Sequence, residues 1–131
     1  MPYAAITYDV QPGYEDEIEQ IFADFKRVST PVIRNAEGEV TGRLLGSAVF
    51  IKDDIMVRVI HYEGSLVDVG RHMGQQQGVH ELESKLAPYL AKKRDTKTPE
   101  AFQQHFRNSL MRSIAQLTPE NYPGSATTSA G

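Results

Sequence analysis

Val57-Arg58-Val59-Ile60-His61-Tyr62-Glu63 reads as a core β-strand that nevertheless carries a guanidinium, an imidazole and a phenol. Strand side chains alternate between faces, so Met56, Arg58, Ile60 and Tyr62 share one side while Ile55, Val57, Val59 and His61 share the other. The first side mixes aliphatic groups with a cation and a phenol. Such a surface suits the wall of a pocket for a polarised, largely apolar ligand. A buried Arg58 needs a counter-charge, a ligand or water, because an unpaired charge is costly in an apolar setting. The alternative is a strand at a sheet edge, with Arg58 reaching solvent along its aliphatic stem.

Upstream of this strand, Val40 to Lys52 is a second strand-like run, separated from Ile55 to Glu63 by Asp53-Asp54 as antiparallel neighbours would be. Gly42 and Gly46 within it predict a bulge or a close backbone approach. Val32 to Arg34 leads into Asn35-Ala36-Glu37-Gly38, a cluster suited to a hairpin or surface loop. Tyr3 to Val10 alternates as a strand and stops at Gln11-Pro12-Gly13. From Tyr14 to about Arg27, Ile18, Ile21, Phe22 and Phe25 recur at helical spacing, with Glu15, Asp16 and Glu17 in the first turn, where the helix dipole favours them. Ser29-Thr30-Pro31 breaks that helix.

Downstream, Gly64-Ser65 ends the sheet, and Ser65 with Asp68 resembles a capping box. Leu66 to Ala91 is helical with a break near Gln75-Gln76-Gln77-Gly78, after which Val79, Leu82, Leu86 and Leu90 form one face. Thr98 as N-cap and Pro99 at the first helical position open a short helix with Phe102 and Phe106 on one side. Leu110 to Leu117 alternates as a final strand. One domain is expected over 1–120 and a disordered tail over 121–131, which ends in small polar residues.

This order predicts an α+β fold of the ferredoxin-like, split βαβ kind: four strands in one antiparallel sheet with helices on one face. The other face is left bare. Its expected remedy is a homodimer whose sheets close face to face, or partial cover by the extra helix. The Arg58 side of the strand is expected to be that bare, cavity-forming face.

The 131 residues, 40% of them hydrophobic, suffice for one domain with a core. Fourteen Lys plus Arg against 17 Asp plus Glu give a net charge of -3. Only Lys92-Lys93-Arg94 concentrates positive charge, which argues against nucleic acid as a partner. Absence of cysteine excludes disulfides, thiolate catalysis and cysteine-ligated zinc. The opening Met1-Pro2-Tyr3-Ala4-Ala5-Ile6 lacks a basic, then apolar, leader, and no segment reaches the roughly 20 apolar residues of a membrane span, so a cytoplasmic protein is expected. The four histidines lack metal-ligand spacing, and Gly70, Gly74 and Gly78 lie in a helical region and not in a phosphate loop. No metal or cofactor is expected.

Several motifs together resemble the SchA/CurD-like proteins: Pro2-Tyr3-Ala4-Ala5-Ile6-Thr7-Tyr8, Gly42-Arg43-Leu44-Leu45-Gly46-Ser47-Ala48-Val49-Phe50, Val57 to Gly64, Gly78-Val79-His80-Glu81-Leu82-Glu83 and Leu86-Ala87-Pro88-Tyr89-Leu90. The resemblance spans about residues 2 to 118. It implies a role beside type II polyketide synthases that make spore pigments and related aromatic polyketides in actinomycetes. More loosely, Asp54 to Ile60 and the leucine-rich helix are similar to the tetracenomycin-type polyketide cyclases, which are dimeric α+β barrels. In that match Arg58 falls where those cyclases carry an active-site histidine, so their mechanism does not transfer intact. The implied partners are an aromatic polyketide intermediate, the type II synthase or its acyl carrier protein, and a second copy of the chain.

Read this way, the chain is expected to be a cofactor-independent cyclase that closes an aldol ring in a poly-β-ketone. The alternatives are a cofactor-independent monooxygenase acting on an anthrone-type aromatic, and a non-catalytic polyketide-binding protein. Arg58, permanently charged and planar, would stabilise a developing enolate. Tyr62 and Tyr8 would donate hydrogen bonds to carbonyl or phenol oxygens. His72 and His61 are the candidates for proton transfer, since imidazole titrates near neutrality. His61 faces away from Arg58 unless a bulge intervenes. Met56 and Ile60 would line the pocket beside Arg58. Arg43 and Arg112 are further candidates for binding, with a salt bridge to Asp9 or Glu63 as the competing role for Arg112. His80 and His105 are expected on helix surfaces.

Overall fold

A computed structural model of the chain describes residues 2–24, 31–93 and 96–119. Its elements run β1 (Tyr3–Asp9), α1 (Glu15–Ala23), β2 (Val32–Arg34), β3 (Val40–Lys52), β4 (Ile55–Glu63), α2 (Leu66–Gly74), α3 (Gln77–Leu86), a 3-10 turn (Ala87–Tyr89) and α4 (Pro99–Ser109). The expected helical positions Phe25 and Arg27, the break at Ser29-Thr30, Arg94 of the basic run and the tail 121–131 lie outside the described residues.

The strands form one antiparallel sheet in the order β1-β4-β3-β2. Because β1 and β3 both run antiparallel to the β4 between them, they are parallel to each other and joined through α1, which is the split βαβ arrangement. Asp53, at φ 54°, turns β3 into β4. Asn35 closes the β2–β3 hairpin, its Oδ1 accepting from the N–H groups of Glu37 and Glu39.

Two expectations need correction. The fourth strand of the ladder is Val32–Arg34, not Leu110 to Leu117. The latter makes one bridge, Leu110 to Ile6, and then a Met111 N–H bond to the Ala5 carbonyl. Further on, the Gln116 side-chain amide takes the place of a strand residue, accepting from Tyr3 N–H at 2.7 Å and donating to the Tyr3 carbonyl at 2.8 Å. A side chain thus satisfies the edge of β1, and 112–115 need not join the ladder.

The second correction concerns the faces. Met56, Arg58, Ile60 and Tyr62 are all buried, with Ala4, Ile6 and Tyr8 beside them on β1. This is the helix-covered side, packed with Val69, Met73, Val79, Leu82, Leu86, Phe102 and Phe106. The bare side carries Phe50 at 63% and Ile55 at 43% exposure, with Val57, Val59 and His61 half-buried. Both sides of β4 are apolar enough to be covered, and the long side chains of Met56, Ile60, Ile6 and Tyr8 give the helices more area to bury, at about 1.5–3 kcal/mol per large apolar residue.

Local signals explain the helices. Ser65 caps α2 by accepting from Val67 N–H, while Asp68 pairs with Arg71 at 2.9 Å and does not close a capping box. Thr98 caps α4 by accepting from Ala101 N–H, with Pro99 in the first turn. Gly70 and Gly74 let α2 approach α4: a β-carbon at either would press on the ring of Phe106 or Phe102. Among the described residues no helix is long and apolar enough to cross a membrane.

Candidate functional site

Between the helix-covered face of the sheet and the helices lies a cavity of about 640 Å³. Phe22 of α1 and Met73 of α2 form one wall, Arg58 and Ile60 of β4 the floor, and Leu44–Val49 of β3, with Pro31, the rim. A regular strand offers only alternate residues to one side. Six consecutive ones reach this cavity because β3 shifts register between Leu44 and Gly46 and because β2 covers β3 only as far as Leu44. The bulge is where Gly46 predicted one. Gly42 is the close approach: a β-carbon there would fall on the Glu63 carbonyl.

Arg58 is the charged group among the described lining residues. It stands opposite Val49 on one side and Ile6 on the other, is 6% exposed, and is held by contacts within the fold. The lining is otherwise aliphatic or aromatic apart from the Ser47 hydroxyl. No carboxylate, imidazole or amine occurs among the described lining residues.

The structure brings only part of the candidate set to the cavity. Arg58 and Ile60 line it. Tyr8, Met56 and Tyr62 share their face but are packed in the core, at 2%, 0% and 8% exposure, and are not lining residues. Burial pushes the Tyr62 phenol above its ordinary range, favouring the neutral donor form. His61 lies on the bare face, its ring stacked on Tyr3 with centroids 4.4 Å apart. His72 is buried in the last turn of α2, next to Met73 in sequence but not among the lining residues. Arg43 pairs with Glu63 at 2.9 Å on the surface. Arg112 is exposed beyond α4, and Asp9 pairs with Lys92, not with it.

His80 does more than decorate a helix surface. Its Nδ1 lies 2.9 Å from the Thr96 carbonyl oxygen and its Nε2 2.5 Å from that of Gly74, so the ring ties α3 to the end of α2 and to the approach to α4. His105 is half-buried on α4. Sequence reasoning missed Phe22, Leu45, Ser47 and Met73 as cavity residues. The signal for the β3 members was Gly46, whose bulge turns Leu45 and its neighbours toward the rim.

Chemically, the cavity offers, among the described lining residues, one fixed cation in a mostly apolar setting, where water screens poorly. It favours any bound group that is, or becomes, an oxyanion. Fold and cavity define the class: a ferredoxin-like α+β protein with a largely apolar pocket, open at its β3 rim, whose floor carries Arg58.

The chain belongs to the SchA/CurD-like family, whose SchA/CurD like domain matches residues 1–119. It is 29% identical to the 42.8 kDa protein in the whiE locus of Streptomyces coelicolor over 87% of this chain and 27% of that protein. It is 27% identical to polyketide synthase CurD of Streptomyces cyaneus over 84% and 28% of the two chains. With protein SchA of Streptomyces halstedii the identity is 25%, over 94% and 31%. The chain therefore spans about three-tenths of the length of these relatives.

Proposed function

We propose that this protein binds a poly-β-ketone intermediate of a type II polyketide synthase in the Arg58 cavity and promotes its aldol closure to an aromatic ring. The single observation that carries the reading is a buried guanidinium on the floor of a mostly apolar cavity of about 640 Å³. A methylene between two ketones is already acidic and gives its proton to water, so the protein's task is to hold the enolate against the carbonyl it attacks; Arg58 stabilises the enolate and then the alkoxide, which takes up a proton and leaves as water to give the aromatic ring. Membership of a family with a relative named polyketide synthase supports the substrate class. A second copy closes the bare face through Phe50, Ile55, Val57 and Val59, giving a dimeric barrel.

The test is incubation with the linear product of a reconstituted minimal synthase. A shift in ring pattern that Arg58→Met abolishes supports the cyclase. Oxygen uptake on a tricyclic anthrone would replace it with the monooxygenase. One observation favours a second reading, a binding protein without chemistry: no proton acceptor lies among the described lining residues. Saturable binding with an unchanged product pattern would decide for that reading.

A further inference from the structure

The β3 rim of the cavity exposes backbone as well as side chains, and hydrogen-bond parity says which groups. In an antiparallel strand each residue directs its N–H and C=O to one side, and the sides alternate. Tyr62 N–H bonds to the Pro2 carbonyl, beyond β1, so Tyr62, Ile60, Arg58 and Met56 bond toward β1. His61, Val59 and Val57 then bond toward β3, where their partners are Gly46, Ala48 and Phe50. Ser47, Val49 and Ile51 are left facing the opposite edge. Among the described residues no strand lies there: β2 pairs with β3 only from Val40 to Arg43, and Leu44 N–H reaches back to Pro31. The N–H groups of Ser47 and Val49 have no acceptor among the described residues, and both residues line the cavity; Ile51 does not.

We infer that the open edge of β3 is a second, backbone half of the ligand site, in which the N–H groups of Ser47 and Val49 donate to two non-adjacent oxygens of a poly-β-ketone chain, or to oxygens on opposite sides of a fused ring, while Arg58 in the same cavity holds the charge of an enolate. This rests on the cavity being the ligand site. Ser47, Val49 and Arg58 line the same cavity, so one extended ligand can meet both the edge donors and the guanidinium. Ser47 and Val49 repeat every two residues, about 6.7 Å along the strand. A chain with an oxygen on every second carbon presents acceptors to such a repeat in more than one register, which a side-chain site would not tolerate. The edge would thus recognise the class of ligand, a polyketone or peri-hydroxyquinone, and not one member of it.

The test replaces single amide N–H groups by ester oxygens in the full-length chain and titrates 1,8-dihydroxyanthraquinone by absorbance. Loss of the donor at Ser47 or at Val49 is expected to weaken binding about tenfold without lowering Tm, since neither N–H has an acceptor among the described residues. The same replacement at Ile51, on the same edge but outside the cavity, is expected to change nothing. At Ala48, whose N–H bonds to β4, it is expected to lower Tm. The inference falls if the Ser47 and Val49 esters bind like the unmodified chain while Arg58→Met does not, a result that leaves the cavity reading intact. It also falls if those esters weaken self-association and not dye binding, because the edge is then an interface between copies. Failure of the unmodified chain to bind the dye overturns both the edge and the cavity reading.

Discussion

Replacing Arg58 by Met keeps an unbranched apolar stem and removes the guanidinium with its charge, and the consequence is clearest in the ionisation of a bound ligand. A guanidinium about 4 Å from a phenolate attracts it by about 4 kcal/mol at an effective dielectric of 20. Arg58 is 6% exposed and has contacts within the fold, so part of that attraction is already committed. Halving it leaves about 2 kcal/mol, or roughly 30-fold in affinity for the anion. In terms of acidity this is about 1.5 pKa units, taken off the phenol of a bound hydroxyanthraquinone. Spectrophotometric titration of the dye reads this directly, because its phenolate absorbs at longer wavelength. The bound dye is expected to ionise at lower pH in the wild type than in water, and at the aqueous value or above in Arg58→Met. Arg58→Lys keeps the charge and loses the planar fork, so the ionisation shift should largely survive while affinity drops. If the bound dye ionises at one pH in all three proteins, Arg58 does not face the ligand and the assignment of its role is wrong.

Three further expectations follow from the same geometry. Gly42→Ala places a methyl on the Glu63 carbonyl and should cost about 3 kcal/mol or more, whereas Gly46→Ala meets nothing within 4 Å and should fall within about 1 kcal/mol of the wild type by urea unfolding; equal effects would contradict the strand pairing. The raised Tyr62 phenol contributes stability that is complete below pH 10, the unfolded value, and lost as pH rises through its folded value; Tyr62→Phe should therefore flatten the alkaline fall of Tm, and an unchanged alkaline limb would refute this. Phe50→Lys on the bare face should shift a dimer to monomer in sedimentation while leaving the fold intact by circular dichroism; a monomeric wild type would remove the barrel proposal.

The pattern around β4 was legible because alternation is a local property: Arg58, Ile60 and Tyr62 had to share a side whatever packed on it. Which side the helices would cover was not. Val57 and Val59 on one side are nearly as apolar as Met56 and Ile60 on the other, and the choice was made by partners distant in sequence, Met73 on α2 and Phe102 and Phe106 on α4. The last strand misled for a related reason. Leu110 to Leu117 alternates, but the contest at the edge of β1 was won by the Gln116 side chain, and period alone carries no trace of that. The cavity rim was half legible: Gly46 announced a bulge, yet the bulge mattered through the backbone and through Leu45, not through the glycine itself.

Placing Arg58 under the helices also changes what its neighbours can contribute. A histidine at this position would be a proton acceptor inside the cavity; an arginine is not one, and His61, the nearest imidazole along the strand, is committed to the opposite face by its stack on Tyr3. With no proton acceptor among the described lining residues, water at the rim is expected to take the methylene proton as the enolate forms. Under that logic the protein gains most by lowering the energy of oxyanions and by fixing the reacting carbons close together, and least by moving protons. The rate of ring closure should accordingly follow the acidity of the substrate methylene and show no inflection near pH 6.5, the ordinary range of a histidine. A bell-shaped profile with a limb there would mean that His72, buried in α2 beside Met73, gains access to the ligand when it binds.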